Sequence, residues 1–156
     1  MQDQISIYFN TETSAEKKND TSKVVGEIEP SLKNIMLCRK VYADRHGQNT
    51  YVGEFKTICV KSIPAVKKEI FIVTKWGDGW GLDFRQEIRI VDPEGSLEIF
   101  NSEDLEKEFD LGSIYHEHVI AGRIFNLLLP CAGRYRIEVY LDGELKGKTY
   151  LNVTLR

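Results

Sequence analysis

Two stretches near the C-terminus, 134–141 and 149–155, alternate between apolar and polar side chains. Asp142-Gly143 lies between them and is typical of a tight turn that joins two antiparallel strands. An alternation of period two is that of a β-strand with one buried and one solvated face. The positions that we predict on the apolar face are Tyr135, Ile137, Val139 and Leu141 in the first strand and Thr149, Leu151, Val153 and Leu155 in the second. The pattern therefore predicts an antiparallel hairpin packed on one side against a second apolar layer.

Further apolar runs recur upstream at the spacing of strands and turns. Residues 102–111 suit either a short helix or a strand, because Leu105 and Phe109 are four apart while Leu105, Phe109 and Leu111 also share a period of two. The predicted strands upstream of the hairpin cover 35–43, 50–61, 69–75, 84–91, 97–101 and 114–129. The total is about eight strands, which predicts an all-β fold, a two-sheet antiparallel β-sandwich, with a closed barrel as the alternative.

The N-terminal part of the chain has a different composition. Polar and charged residues dominate 10–34, and such a segment buries too little apolar area to offset the entropy of ordering it. We therefore predict a polar N-terminal arm over 1–31 that is either flexible or loosely docked, and a β-sandwich domain over 32–156. The run Ile5–Phe9 (ISIYF) is an apolar exception, suited to pairing as an edge strand within this chain or with a neighbour.

Composition excludes several classes of protein. The 156 residues are 42% hydrophobic and carry a formal net charge of −3, with basic residues spread along the chain rather than grouped as in a nucleic-acid-binding protein. No apolar run is long enough for a membrane helix, and the N-terminus has no signal-peptide pattern. Cys38, Cys59 and Cys131 have no paired spacing and lie beside apolar residues, which predicts three buried thiols rather than disulfides. We expect a cytoplasmic protein that binds neither nucleic acid nor membrane and needs no cofactor.

Several turn and core residues carry a resemblance to a known family. Asp92-Pro93-Glu94-Gly95 forms a strong turn signal, and 126–130 (NLLLP), Gly133-x-Tyr135 and Asp142-Gly143 follow it in order. Over 35–156 the chain resembles a family of small bacterial and phage-associated proteins of unknown function with an immunoglobulin-like β-sandwich. The resemblance implies that fold, and it implies that no enzyme signature is present.

The glycine-rich loop 76–80 (WGDGW) is the first candidate binding site. Trp76 and Trp80, with Asp78 between them, suit an aromatic platform for a sugar ring or a peptide, since glycine lets a backbone approach a ligand closely. The alternative, which we favour, is that one or both indoles fold back and cover the end of the sandwich, because large aromatic side chains are mostly buried.

His116 and His118 form the second candidate site. Residues two apart on a strand face the same way, so the two imidazoles suit a transition metal, but zinc needs a third and usually a fourth ligand. We favour two histidines on a solvated face. The acidic residues between 103 and 110 lack the spacing of a calcium loop and are typical of a solvated edge.

The chain has no Gly-x-Ser-x-Gly motif and no cysteine with a histidine partner in its local sequence. We therefore predict a non-enzymatic binding or structural module whose partner is another protein or a second copy of itself. The predicted contact elements are the 76–80 loop, Tyr8-Phe9 in the arm, and Tyr140 with Tyr150, placed as a cross-strand pair on the wet face of the last hairpin. The alternatives are carbohydrate or small-ligand binding through Trp76–Trp80, and a metal-assisted hydrolase that uses His116 and His118.

Overall fold

The computed structural model describes residues 12–13, 28–79, 84–102 and 117–156, and these contain no α-helix. In chain order the strands are β1 (Glu12–Thr13), β2 (Ser31–Ala43), β3 (Asn49–Glu54), β4 (Thr57–Val60), β5 (Ala65–Gly77), β6 (Gln86–Val91), β7 (Glu98–Asn101), β8 (Glu117–Leu129), β9 (Gly133–Leu141) and β10 (Glu144–Leu155). No helix in the described part of the chain is long and apolar enough to cross a membrane. The question of helix or strand over 102–111 concerns residues that lie, beyond Ser102, outside the described part.

The strands form two sheets. The first sheet has the strand order β1-β8-β5-β2-β3, and the second has the order β4-β10-β9-β6-β7. Side chains from both sheets pack into one apolar core, which confirms the predicted all-β, two-sheet sandwich. The sheets are separate and each ends in edge strands, so the closed barrel is wrong.

The C-terminal hairpin has the predicted pattern except at Leu155, the last residue of β10, which is 55% exposed. In β9, Tyr135, Ile137, Val139 and Leu141 are completely buried, and the partner strand β10 buries Leu151 and Val153 beside them. Asp142 and Gly143 both have positive φ angles, 47° and 82°, which is the backbone of the type I′ turn that asparagine, aspartate and glycine favour. Burial of side chains of this size stabilises the fold by about 1.5–3 kcal/mol each relative to exposure.

Strand β8 changes its buried face at one residue. Ile120 and Ile124 face the core in the first half of the strand, whereas Leu127 and Leu129 do so in the second half. Asn126 lies between the two halves with φ of 52°, a left-handed conformation that asparagine tolerates better than most residues. The left-handed residue Asn126 therefore lets Leu127 and Leu129 face the core within the same strand as Ile120 and Ile124. The sequence had predicted this region as one strand over 114–129.

The topology is that of an immunoglobulin-like sandwich. Strands β2, β5 and β8 are neighbours in the first sheet in the order of strands A, B and E of an immunoglobulin domain, and β6, β9 and β10 are neighbours in the second in the order of C, F and G. The hydrogen bonds at the corner before β9 support the same fold. Tyr135 Oη donates to the carbonyl oxygen of Cys131 (2.7 Å) and accepts from the Cys131 N–H (3.2 Å). A tyrosine that bonds back to the backbone at this corner is a feature of such sandwiches.

One pair of strands is parallel within the otherwise antiparallel sandwich. β4 pairs with β10 in parallel, with Ile58 opposite Val153. The predicted single strand over 50–61 is divided at Phe55-Lys56, where the chain passes from the edge of the first sheet to the edge of the second. At this crossing the chain changes sheets without a hairpin turn. As a result, β4 runs in the same direction as its neighbour β10.

The outward side of the first sheet also carries a buried apolar cluster. Its buried members are Cys38, Phe71, Val73, Val119 and Ala121. Burial and then the nearby Glu54 carboxylate raise the pKa of the Cys38 thiol to about 11. Cys131 is half-buried and Cys59 is exposed, so the prediction of three buried thiols is wrong for Cys59, which lies on the outward side of edge strand β4.

Tyr135→Phe is predicted to lower the free energy of unfolding by about 1–2 kcal/mol, because the buried Cys131 backbone groups lose their hydroxyl partner. The pKa of Tyr135 is raised to about 12, first by burial, so the folded state holds the phenolic proton more tightly than the unfolded chain. The stabilisation is complete below the ordinary tyrosine pKa near 10 and is lost as the pH rises toward 12. Urea unfolding at pH 7 and at steps between pH 9 and 12 checks both effects; an equally steep loss in the Phe variant contradicts this role of Tyr135.

Candidate binding surface

The Trp76–Trp80 loop does not present Trp76 to solvent. Trp76 is 0% exposed, and its Nε1 donates to Gln86 Oε1 at 2.8 Å, an oxygen that also accepts from Thr74 Oγ1 at 2.6 Å. The prediction of Trp76 as a contact residue is therefore wrong, and the alternative of an indole folded into the sandwich is correct for this residue. Strand β5 continues through Trp76, so the residue keeps the inward orientation of Ile70 and Ile72. Trp80 lies outside the described residues.

Asp78 is exposed at the same end of the sandwich. It has a φ of 61°, forms an ion pair with Lys33, and accepts a hydrogen bond from Ser31 Oγ at 3.3 Å. The hydrogen bond and charge of Lys33 lower the pKa of Asp78. Pro30 packs against Gly79 so closely that a Cβ at Gly79 would lie 2.7 Å from the Pro30 Cβ. The described part of this end is closed by Pro30 and Lys33 and forms no two-ring platform.

His118 is buried, not solvated as we favoured from the sequence. It lies in β8 at 4% exposure, opposite Trp76 of β5. His116 lies outside the described residues. Within the described ranges, no group of three or more histidine, cysteine, aspartate or glutamate side chains is close enough to hold a metal ion.

A different arrangement covers the outward side of β6, β9 and β10, here called the outer face. Since Tyr135, Ile137 and Val139 point into the core, the alternate residues of β9 point outward, and the register sets outward residues of β6 and β10 beside them. The outer face consists of Glu87, Arg89, Arg134, Arg136, Glu138, Tyr140, Lys148 and Tyr150.

Both tyrosines of the outer face lie beneath arginine side chains. The guanidinium carbon of Arg134 lies 3.7 Å from the centre of the Tyr150 ring, and that of Arg89 lies 4.4 Å from the centre of the Tyr140 ring. Stacking of this kind contributes about 0.5–1 kcal/mol at exposed sites and restricts both side chains. The predicted direct pair of Tyr140 with Tyr150 is wrong, because the register sets Tyr140 opposite Leu145 and Tyr150 opposite Arg136.

The carboxylates of the outer face lie beneath its bases. Glu138 accepts from Arg136 Nε and from Tyr140 Oη, both at 2.6 Å, and Glu87 pairs with Arg89. The glutamate side chains are only 10–11% exposed, whereas those of Arg89 and Arg136 are 32% and 40% exposed. A partner approaching this surface therefore meets guanidinium groups and aromatic rings before it meets carboxylates.

The ionisation of these groups follows from the same contacts. Burial alone raises the pKa of Glu138, but the hydrogen bonds from Tyr140 and Arg136 and the charges of Arg136 and Arg89 outweigh it, so the net pKa is lowered. The bond to Glu138 raises the pKa of Tyr140, and the bond to Glu87 raises that of Arg89. Glu138 and Arg89 are therefore charged near neutral pH, and the Tyr140 hydroxyl is protonated.

Two cations of the outer face have no acidic partner in the part of the chain that the structure describes. Arg134 and Lys148 are exposed, and neither forms an ion pair with a described residue. They lie on either side of Tyr150, which is next but one to Lys148 along β10 and is covered by Arg134. The sequence identified Tyr140 and Tyr150 but missed these cations as contact residues, although the alternation of β9 already placed Arg134 and Arg136 on the solvated side.

Comparison with known proteins gives similar structures but no curated relative. None of the curated proteins matches the chain. An alkylpurine DNA glycosylase from Pseudomonas fluorescens, bound to DNA with an abasic-site analogue, is 13% identical with a TM-score of 0.49; the match covers 81% of this chain and 31% of the glycosylase. An immunoglobulin-like protein from Pseudomonas aeruginosa is 13% identical with a TM-score of 0.38, and the match covers 80% of this chain and 96% of that one. Likenesses of this degree carry no weight for function.

A family model matches residues 33–154, which extend from the third residue of β2 to the penultimate residue of β10 and so contain the whole sandwich apart from β1. The chain belongs to the Family of unknown function (DUF6941).

Proposed function

We propose that this protein is a non-enzymatic binding module whose outer face binds an acidic segment of another protein. The observation that carries the proposal is the vertical order of charge on that face, with Glu87 and Glu138 buried beneath more exposed arginines. Arginine and tyrosine are also the side chains that most often dominate the energy of protein interfaces. The surface therefore has both the residue types and the charge that an acidic protein segment requires.

The stacked side chains also lower the entropic cost of binding. Arg134 on Tyr150 and Arg89 on Tyr140 are already held in one arrangement by ring contacts. Immobilising a side chain with many rotamers costs about 0.5–1.5 kcal/mol at an interface. Because these side chains are already ordered in the unbound protein, binding costs them less conformational entropy.

The proposed partner is a protein rather than a nucleic acid. The bases of the outer face are interleaved with Glu87, Glu98 and Glu138, and Arg89 lies 3.8 Å from Glu98 as well as pairing with Glu87. A phosphate backbone would approach three carboxylates along with the cations, and binding to DNA or RNA depends on the number of phosphates neutralised. We place this binding in the cytoplasm, in keeping with three cysteines that are all free thiols.

The partner is to be identified by a photo-crosslinking amino acid placed at Lys148 in the intact protein in its host cells, followed by mass spectrometry of the adduct. We expect a protein whose crosslinked segment is rich in aspartate and glutamate. The same amino acid at Lys68, exposed on the first sheet, is the control and is expected to give no such adduct. An adduct with nucleic acid, a segment without acidic residues, or no adduct specific to position 148 contradicts the proposal.

Charge reversal at the two unpaired cations is predicted to weaken binding of that partner. In the double variant Arg134→Glu, Lys148→Glu, two attractive contacts become repulsive, and we expect the Kd to rise about 10- to 100-fold with little change in melting temperature. The matched control is Lys61→Glu, Lys68→Glu, which reverses two exposed lysines away from the outer face. Calorimetric titration at 50 and 300 mM salt measures the effect; equal affinities of the two double variants contradict the outer face as the binding surface.

A further inference from the structure

A groove lies between the two sheets on the side where β7 and β8 form neighbouring edges. Its volume is about 360 Å³, within the range of cavities that bind apolar ligands. Leu97 and Leu128 are about half exposed at its rim. The lining residues are Leu97, Glu98, Ile99, Phe100, Asn101, Ile124, Phe125, Asn126, Leu127 and Leu128. The groove is therefore mainly apolar and is separate from the outer face.

Beyond Val119, no strand of the described ranges covers the edge of β8 beside this groove. β1 pairs with β8 only at His118 and Val119, so the following residues of β8 have no neighbouring strand on that side among the described residues. An open strand edge presents unpaired backbone N–H and C=O groups and is a template for pairing with another strand. The groove and the open edge together fit an extended segment that pairs with β8 and inserts side chains between the sheets.

The register of β1 defines which residues would reach this edge. Glu12 lies opposite Val119 and Thr13 opposite His118, in antiparallel orientation. Residues 1–11 lie outside the described part of the chain. Counting back along the same register assigns Phe9 to Gly122, Ile7 to Ile124 and Ile5 to Asn126.

The alternation of the N-terminal sequence agrees with this register. Residues directly opposite each other in an antiparallel pair share one face of the sheet. Ile124 belongs to the core, so Ile7 would face inward, and Phe9 with it. Ile5 would lie opposite Asn126, where β8 changes its buried face and which lines the groove. Gly122 opposite Phe9 has no side chain, and a Cβ there would meet only the Ile72 carbonyl oxygen at 3.7 Å. If the register were shifted by one residue, Ser6 and Tyr8 would face the groove instead. The apolar pattern of residues 5–9 therefore matches the register that β1 shows.

We propose that residues 5–9 of the same chain bind this groove as a strand that continues β1 along β8, with Ile7 and Phe9 between the sheets and Ile5 beside Asn126. Only Asn10 and Thr11 separate Phe9 from the pairing at Glu12, so the segment is held at the entrance of the groove. A second copy would first have to displace β1. The bound segment closes the edge of the first sheet and prevents β8 from pairing with another chain.

Hydrogen exchange of the intact protein tests this docking. The amides of residues 120–126 are expected to exchange at least about tenfold more slowly in the full chain than in a chain that lacks residues 1–10. Addition of a peptide with the sequence of residues 1–13 is expected to restore slow exchange in the shortened chain. Equal exchange in the full and shortened chains overturns the proposal.

Two single substitutions keep the test independent of the deletion. Ile7→Asp sets a charge in the apolar groove and is expected to accelerate exchange as the deletion does. Ser6→Asp introduces the same charge on the opposite side of the proposed strand and is expected to leave exchange unchanged. Equal behaviour of the two variants overturns the proposed register. Slow exchange that appears only with dimer formation in light scattering assigns the groove to a second copy and overturns docking within one chain.

Discussion

Replacement of Trp76 by alanine is expected to lower the free energy of unfolding by about 3–5 kcal/mol, the usual cost of removing a fully buried aromatic side chain. Trp76 is 0% exposed and belongs to the common core of both sheets. The substitution also removes the donor that Trp76 Nε1 provides to Gln86, whose amide is itself buried at 4% exposure. The loss therefore has a cavity contribution and a hydrogen-bond contribution.

Chemical denaturation followed by circular dichroism measures this loss. Trp76→Phe is the matched control, because it retains an aromatic ring and removes mainly the Nε1 donor, and we expect it to cost about 1–3 kcal/mol. A loss below about 1 kcal/mol for Trp76→Ala contradicts the buried position of the indole. A folded Trp76→Phe protein that loses affinity for a sugar would instead favour the platform hypothesis.

Gly133→Ala is expected to lower the free energy of unfolding by about 2–5 kcal/mol, from backbone strain and overpacking combined. Gly133 has φ of 136°, a conformation that side chains other than hydrogen rarely adopt. A Cβ at this position would lie 2.8 Å from both Cβ and Cγ of Pro93. Pro93 belongs to the turn after β6, so the added methyl group would separate that turn from the start of β9.

Gly95→Ala separates the two causes. Gly95 also has a positive φ, 73°, but a Cβ there would have no atom within 4 Å, so only the backbone strain remains, about 1 kcal/mol. Thermal and urea unfolding of both variants give the comparison. An equal loss for the two variants contradicts the contact with Pro93 as a cause.

Local sequence was sufficient to predict the features that depend on residues close together along the chain. The hairpin of β9 and β10 follows from two alternating runs and from Asp142-Gly143, whose positive φ angles are those of the predicted turn. The sequence also contained the information that Tyr140 and Tyr150 are not a cross-strand pair. If Asp142-Gly143 forms the turn, Leu141 pairs with Glu144 and Tyr140 with Leu145.

The outer face was predicted only in part. The alternation of β9 identified its solvated side, and with it Arg134, Arg136, Glu138 and Tyr140. The neighbours of these residues come from β6 and β10, and Arg89, which covers Tyr140, is fifty-one positions away in the chain. No local pattern states which strands are adjacent, so the stacking and the burial of the carboxylates were not predictable.

The amino-acid sequence by itself determined that this chain is all-β with one apolar core, because a period of two in side-chain polarity gives each strand one face that must be buried. The strand pairing of the tertiary structure decided between two separate sheets and a closed barrel. Only the tertiary structure decided that Trp76 lies inside, that β4 runs parallel to β10, and that the carboxylates of the outer face lie beneath its arginines. These outcomes depend on where a strand ends and which strands lie side by side, and both are set by pairings between residues far apart in the chain.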